Sequence, residues 1–373
     1  MLIRTALRGP VDYCVAVDPD GRERLVAVAK QSYALPERDG DELRLLPRSE
    51  QSPLIEVDMF SGDPASSAPL LENDYAAFKP RCDVLVHACA HAPAGRPARE
   101  VEVEVGVGNW RKRLRVLGER VWTGGIAGAR LTEPVAFERM EISYERAFGG
   151  VQLDPADPSY SKALRENPVG VGYYPFSRGS ALDGLIGPNC EALDDPVRSC
   201  SRPHRPAALG PIGRSWLPRL SLAGTYDQRW VEERFPFLPA DFRYDYFQSA
   251  PGDQQISPPR GGETCRLINL SPSGSLSFSL PVTAMPVEFV RADRRRVETT
   301  ASMDTLVIDA STQRVTMTWR ASLALERGVE EVRELVFGAM TPGWVRARET
   351  GKSYYRSLAE LIDANRQARL GAG

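Results

Sequence analysis

Histidine is the scarcest chemical reagent in this chain, with three copies in 373 residues. Enzymes draw on His more than on any other side chain for general acid–base work. Other catalytic signatures are missing too. There is no G-x-S-x-G elbow, no phosphate-binding loop, no H-E-x-x-H and no C-x-x-C pair. Gly170-Val171-Gly172 and Gly106-Val107-Gly108 are only fragments of a dinucleotide fingerprint. The reading is therefore non-enzymatic, with no cofactor expected. No apolar run approaches the ~18 residues of a membrane span. The first eight residues, Met1 to Arg8, hold no apolar core of a secretion signal, so a cytoplasmic location is expected. The six cysteines are scattered singly, which reads as reduced thiols rather than a disulfide framework. A basic excess is absent as well. Lys and Arg number 47 against 49 Asp and Glu, which argues against nucleic acid as a partner. The one basic run, Arg-Ala-Asp-Arg-Arg-Arg at 291–296, reads as a solvated loop between strands.

What the chain does have is Gly (31) and Pro (30), spread from end to end. That distribution suits many short strands joined by tight turns and argues against long helices. Hydrophobic content of 42% is enough to build a core. The first hairpin is legible around Asp18-Pro19-Asp20-Gly21, where Pro presets φ and Gly permits positive φ. Residues 36–70 read as polar, Pro-rich loops with one short strand at 43–46. A strand is expected over 83–92. The clearest strand follows, at residues 99–107, where Glu and Val alternate. Period-2 alternation marks a strand buried on one face. Gly108-Asn109-Trp110 turns the chain into residues 112–117, whose outward residues are basic. Glu on one strand then faces Arg on the next, worth ~0.2–1 kcal/mol per pair. Two more hairpins are expected, around Ser271-Pro272-Ser273-Gly274 and around Ala310-Ser311-Thr312-Gln313.

Residues 149–213 show no long periodic run. Irregular segments of this length tend to be functional or to pack by their own side chains. A burst of aromatics follows, including Trp216, Tyr226, Trp230, Phe235, Phe242 and Tyr246. They either pin the irregular segment to the β core or form a partner-binding surface, where aromatic anchors dominate the energetics. In the tail, Tyr354, Tyr355, Leu358, Leu361 and Ile362 recur at helical spacing, with Glu360, Asp363, Arg366 and Arg369 off the stripe. This predicts an amphipathic helix docked on the chain's own core. The expected fold class is mainly β: antiparallel sheets packed as sandwich-like or barrel-like units, with long irregular connections and a C-terminal amphipathic helix. Three stretches follow: an N-terminal β region 1–148, an irregular aromatic-rich and second β region 149–290, and a hairpin and helix over 291–373.

One cluster could hold a metal. On a strand, His87, Cys89 and His91 would share one face, and zinc accepts both ligand types. Yet i to i+4 on a flat strand spans roughly 13 Å, too far for ligand bonds of ~2.0–2.3 Å to one ion. A metal-dependent hydrolase on these residues is the alternative to a binding protein, and it would need a bulge or the help of His204. A Cys200–His pair has no support in the spacing. Glu72 and Asp74 beside Lys79 and Arg81 read as a surface ion-pair patch. A glycan-binding β-sandwich using Trp and Tyr is a third reading, with no specific motif behind it.

Several blocks resemble the DUF2169 family. They begin with Glu72-Asn73-Asp74, Phe78-Lys79-Pro80-Arg81-Cys82-Asp83 and Ala90-His91-Ala92-Pro93. Val116-Leu117-Gly118-Glu119-Arg120-Val121-Trp122 and Tyr144-Glu145-Arg146-Ala147-Phe148-Gly149-Gly150 follow, then Asn167-Pro168-Val169-Gly170. The last are Gly187-Pro188-Asn189, Trp216-Leu217-Pro218-Arg219, Ala223-Gly224-Thr225-Tyr226-Asp227, Leu238-Pro239-Ala240-Asp241-Phe242 and Ala250-Pro251-Gly252-Asp253-Gln254-Gln255. They span roughly residues 20–285. The resemblance implies a bacterial accessory protein of the type VI secretion system: an adaptor or chaperone that binds an effector, often with a PAAR domain, and helps load it onto the VgrG spike. It implies no catalytic residues. Membrane is not among the implied partners.

Overall fold

The computed structural model describes residues 1–125, 128–339 and 341–355, together with 358, 361, 362 and 365. The fold is mainly β, and its largest sheet curls into a half-barrel. The strand order in that sheet is Leu2–Thr5, Val332–Phe337, Met285–Arg291, Arg296–Asp309, Arg314–Ala324, Glu23–Ala34 and Val11–Val17. Three short strands, Arg44–Leu45, Cys82–His87 and Gln255–Ile256, join it at the side. The three stretches read from the sequence are thus interleaved. Leu2–Thr5 runs parallel to Val332–Phe337, and Glu23–Ala34 lies against Arg314–Ala324.

The pivot is the 14-residue strand Arg296–Asp309. Its first half pairs with Met285–Arg291. Its second half pairs with Arg314–Ala324 on one edge and, in parallel, with Cys82–His87 on the other. The register shifts between Met303 and Thr305, which sets Asp304 apart from the ladder. A bulge of this kind bends the strand and strengthens its twist, and it marks the point where the strand's pairing partners change.

Alternation along these strands builds two different faces. On Arg314–Ala324, Val315, Met317, Trp319 and Ala321 enter the main core, while Arg314, Thr316, Thr318 and Arg320 point to the other side. On Glu23–Ala34, Leu25, Ala27, Ala29 and Tyr33 enter the core, and Lys30 takes the opposite face. The core is continuous with a second, five-stranded sheet of Cys190–Ala192, Trp110–Leu117, Glu100–Val107, Thr264–Ile268 and Ser275–Ser279.

The predicted hairpins are present. Val11–Val17 pairs with Glu23–Ala34 across a turn in which Gly21 has φ +80°. In the Glu/Val strand, Val101, Val103, Val105 and Val107 are buried. Glu104 faces Arg113 and Glu102 faces Arg115, with a further diagonal Arg113–Glu102 ion pair. The hairpins Thr264–Ile268 with Ser275–Ser279 and Arg296–Asp309 with Arg314–Ala324 also form as read. Residues 292–295 are the turn inside the basic run.

Three expectations change. The strand expected over 83–92 breaks at Ala88 into Cys82–His87 and Cys89–His91. The second piece leaves the half-barrel to pair with Arg139–Glu141. Residues 149–213 hold a small hairpin, Val151–Asp154 with Asp157–Ala163, and their Leu164, Leu182, Val197 and Cys200 form a separate apolar cluster with Trp122 and Phe148. In the tail, Tyr354 and Tyr355 precede the helical positions 358, 361, 362 and 365, and Leu358 and Ile362 are exposed rather than docked. Glu360, Asp363, Arg366 and Arg369 lie outside the described residues. No helix among the described residues is long and apolar enough to cross a membrane.

Candidate functional site

The polar face of the half-barrel is covered by loops. Residues from 52–79 and 139–145 lie over it and close a cavity of about 590 Å³. Its rim includes the exposed residues Met59, Leu70, Glu141, Ser311 and Thr312, and its floor is buried. One row of residues crosses four strands of the floor in register: Lys30 opposite Thr318, Thr318 opposite Thr305, and Thr305 opposite Asp83.

Around this row runs a single buried network. Lys30 pairs with Asp74 and donates to the Pro53 carbonyl at 3.2 Å. Arg320 pairs with Asp304 and donates from Nε to the Asp74 carbonyl at 3.1 Å. Thr305 Oγ1 donates to Asp304 Oδ1 at 3.0 Å. It accepts from Lys79 Nζ at 3.0 Å, and Lys79 also donates to Asp83 Oδ2 at 2.7 Å. Asp83 is saturated by Gln248 Nε2 at 2.6 Å and by Ser249 N and Oγ at 2.8 and 3.1 Å. Three cations therefore meet three aspartates. Buried charges survive only when paired and hydrogen-bonded. Burial lowers the pKa of the Lys30 ammonium, and the adjacent Asp74 opposes that shift. The expected surface patch at 72–81 is corrected here, because Asp74 and Lys79 are 6% and 7% exposed. Glu72 is buried beside them and takes Arg219 through two nitrogens, Nη2 at 2.7 Å. Arg81 is exposed and instead donates to the Gln255 carbonyl.

The cavity wall comes from the Tyr144–Arg146 turn. Tyr144 is buried edge-to-face on Trp216 at 5.5 Å. Glu145 accepts from Ser61 Oγ and from the Ala68 amide. Asn167 Nδ2 holds the turn from beneath by donating to the carbonyls of Tyr144 (2.8 Å) and Phe148 (3.2 Å). Gly149 is needed for this approach, because a Cβ there would sit 2.2 Å from the Asn167 carbonyl oxygen.

The proposed metal cluster is taken apart by the break at Ala88. His87 and Cys89 line the cavity, and His91 does not. The His91 amide donates to the Asn269 carbonyl at 2.8 Å. Among the described residues, no group of three or more His, Cys, Asp or Glu is arranged to hold a metal ion. His204 is a loop staple, with Nδ1 2.9 Å from Asp195 and its ring edge-to-face on Phe148. Burial pushes the Cys190 and Cys265 thiols up to about 12, which keeps them protonated and unreactive.

The aromatic residues divide between core and surface. Trp216 is core, at 5% exposure, and offers no surface. The other five stand on an irregular knob over residues 217–247. Asp227 caps the short helix Gln228–Glu233 by accepting from the Trp230 amide. Trp230 Nε1 donates to the Phe237 carbonyl at 2.8 Å, and Thr225 is clamped to Asp241. One edge-to-face chain runs Tyr226–Trp230–Phe235 and another joins Phe78, Tyr244, Phe242 and Tyr246. Phe235 is 66% and Tyr226 55% exposed, and Phe237, Phe78 and Val231 are also exposed. The knob leans on the first hairpin turn, where Arg234 donates to the Pro19 carbonyl. Several large apolar side chains are thus exposed together on the knob.

The sequence reading missed the cavity. A signal was present: Lys30-Gln31-Ser32 interrupts an apolar strand, and Arg314, Thr316, Thr318 and Arg320 alternate with apolar residues. That alternation normally means a solvated face, and nothing local shows that distant loops cover it.

No curated protein and no solved structure matches this chain. A family model does match, over residues 20–320, reaching beyond the resemblance blocks to include the pivot strand and most of its neighbour Arg314–Ala324. That model is DUF2169, described as an uncharacterized protein conserved in bacteria, and the chain belongs to this family.

Proposed function

We propose that the chain is a non-enzymatic adaptor or chaperone that binds a type VI secretion effector in the bacterial cytoplasm and helps load it onto the VgrG/PAAR spike. The observation that supports this reading most is the aromatic knob at residues 217–247, which presents Tyr226 and Phe235 to solvent on a frame of specific hydrogen bonds. Aromatic anchors that are rigidly held and exposed lose little conformational freedom on binding, and such residues carry most of the energy of protein interfaces. The rest of the adaptor reading comes from the resemblance set out above. Co-expression with the products of neighbouring genes, followed by affinity purification, tests it. A stable complex with an effector, lost on Phe235→Ser, is the expected result. If no neighbouring product co-purifies or is stabilised, the reading fails.

A further inference from the structure

The half-barrel cavity has an uneven distribution of charge and of hydrogen-bonding capacity. Lys30, Lys79 and Arg320 all line it. Of their three aspartate partners only Asp74 does, while Asp83 and Asp304 stand behind the surface. Glu72 also faces the cavity but is matched by Arg219. The network is balanced in charge, but at the floor surface it presents its ammonium and guanidinium groups, with two of the three aspartates set behind them. An ammonium has three hydrogens to donate. Lys30 uses two on Asp74 and the Pro53 carbonyl, and Lys79 uses two on Asp83 and Thr305. Each keeps one N–H for a ligand.

Two further lining groups have the opposite character. Glu145 spends Oε1 on Ser61 and Ala68, and its buried Oε2 has no partner among the described residues. His87 Nε2 is likewise buried without a partner. Burial lowers the His87 pKa, which favours the neutral ring, and a neutral imidazole carries one acceptor nitrogen. A buried polar atom left unpaired is costly, so each favours a ligand that pairs it. One unpaired acceptor thus stands on the wall, at Glu145, and one at the end of the floor strand Cys82–His87, beside two lysines that each have an N–H to spare.

We propose that this cavity binds the carboxyl-terminal end of a peptide: the terminal carboxylate against Lys30 and Lys79, and a backbone N–H against Glu145 and His87. A volume of about 590 Å³ falls in the usual range for small-ligand sites, ~300–1,000 Å³. The site stands apart from the aromatic knob and does not depend on the adaptor reading.

Calorimetric titration of the whole protein with triglycine and with triglycine carboxamide tests it. The free acid binds at least tenfold tighter than the amide, and its amide-resonance shifts in a heteronuclear NMR spectrum fall on Leu85, Tyr144 and Thr305. Glu145→Gln keeps an oxygen for Ser61 and Ala68 but can place an NH2 where the unpaired oxygen was. It weakens the free acid about tenfold while leaving the spectrum of the free protein folded. Absence of binding, equal binding of acid and amide, or an unchanged affinity in Glu145→Gln would overturn the proposal.

Discussion

Removing one cation from the buried network separates the stabilities of its two halves. Lys79→Met takes one of four donors from Asp83, which keeps Gln248 Nε2 and both Ser249 groups within 3.1 Å. Arg320→Met does more damage. Asp304 is left with the Thr305 hydroxyl at 3.0 Å, and the Asp74 carbonyl loses its guanidinium donors. Breaking a buried pair by removing one partner costs about 3–5 kcal/mol. Lys79→Met is therefore assigned about 3 kcal/mol and Arg320→Met about 5 kcal/mol. Against a typical domain stability of ~5–15 kcal/mol, the second loss is a third or more of the whole. Adding Asp304→Asn to Arg320→Met removes the stranded charge and recovers about 2 kcal/mol, a coupling expected of residues in contact. Urea unfolding followed by tryptophan fluorescence reads each midpoint, with the slope unchanged if the denatured state is unaltered. Equal destabilisation by Lys79→Met and Arg320→Met, or a double variant no more stable than Arg320→Met alone, would refute this ranking.

Three other outcomes follow from single residues. Burial pushes the Tyr33 phenol from 10.0 up to about 12, so its contribution is full below pH 10 and lost as pH climbs through 12. Tyr33→Phe removes that loss, and alkaline denaturation between those pH values should be shallower by roughly 2–3 kcal/mol. Gly149→Ala forces a Cβ against the Asn167 carbonyl and should destabilise by about 3 kcal/mol, read as a lower thermal midpoint. Phe235→Ser lies on an exposed site and should change unfolding by no more than ~0.5 kcal/mol while abolishing effector capture, so an intact complex with this variant counts against the knob.

The β character and the hairpins were readable because turns and alternation are local signals. Asp18-Pro19-Asp20-Gly21 and the Glu/Val run each state their geometry within ten residues. The half-barrel was not readable, because it joins Leu2–Thr5 to Val332–Phe337 and Cys82–His87 to Arg296–Asp309. Parallel pairings between strands so far apart leave no trace in a sequence window. The same reason hid the cavity. Asp74, Lys79 and Arg320 look like surface charges until residues 52–79 are laid over the polar face. The aromatic burst was visible, but its division was not: Trp216 fits under Tyr144, while Phe235 stays in solvent. Only the packing of the turn at Tyr144 decides between them.

The proposed role of the aromatic knob in holding an effector is open to a direct measurement. Hydrogen–deuterium exchange of the free chain and of its purified effector complex addresses it directly. Protection concentrated on residues 217–247 and the adjoining turn at 18–22 is the predicted result. A complex whose protection falls elsewhere, with the knob exchanging as fast as in the free chain, would contradict it.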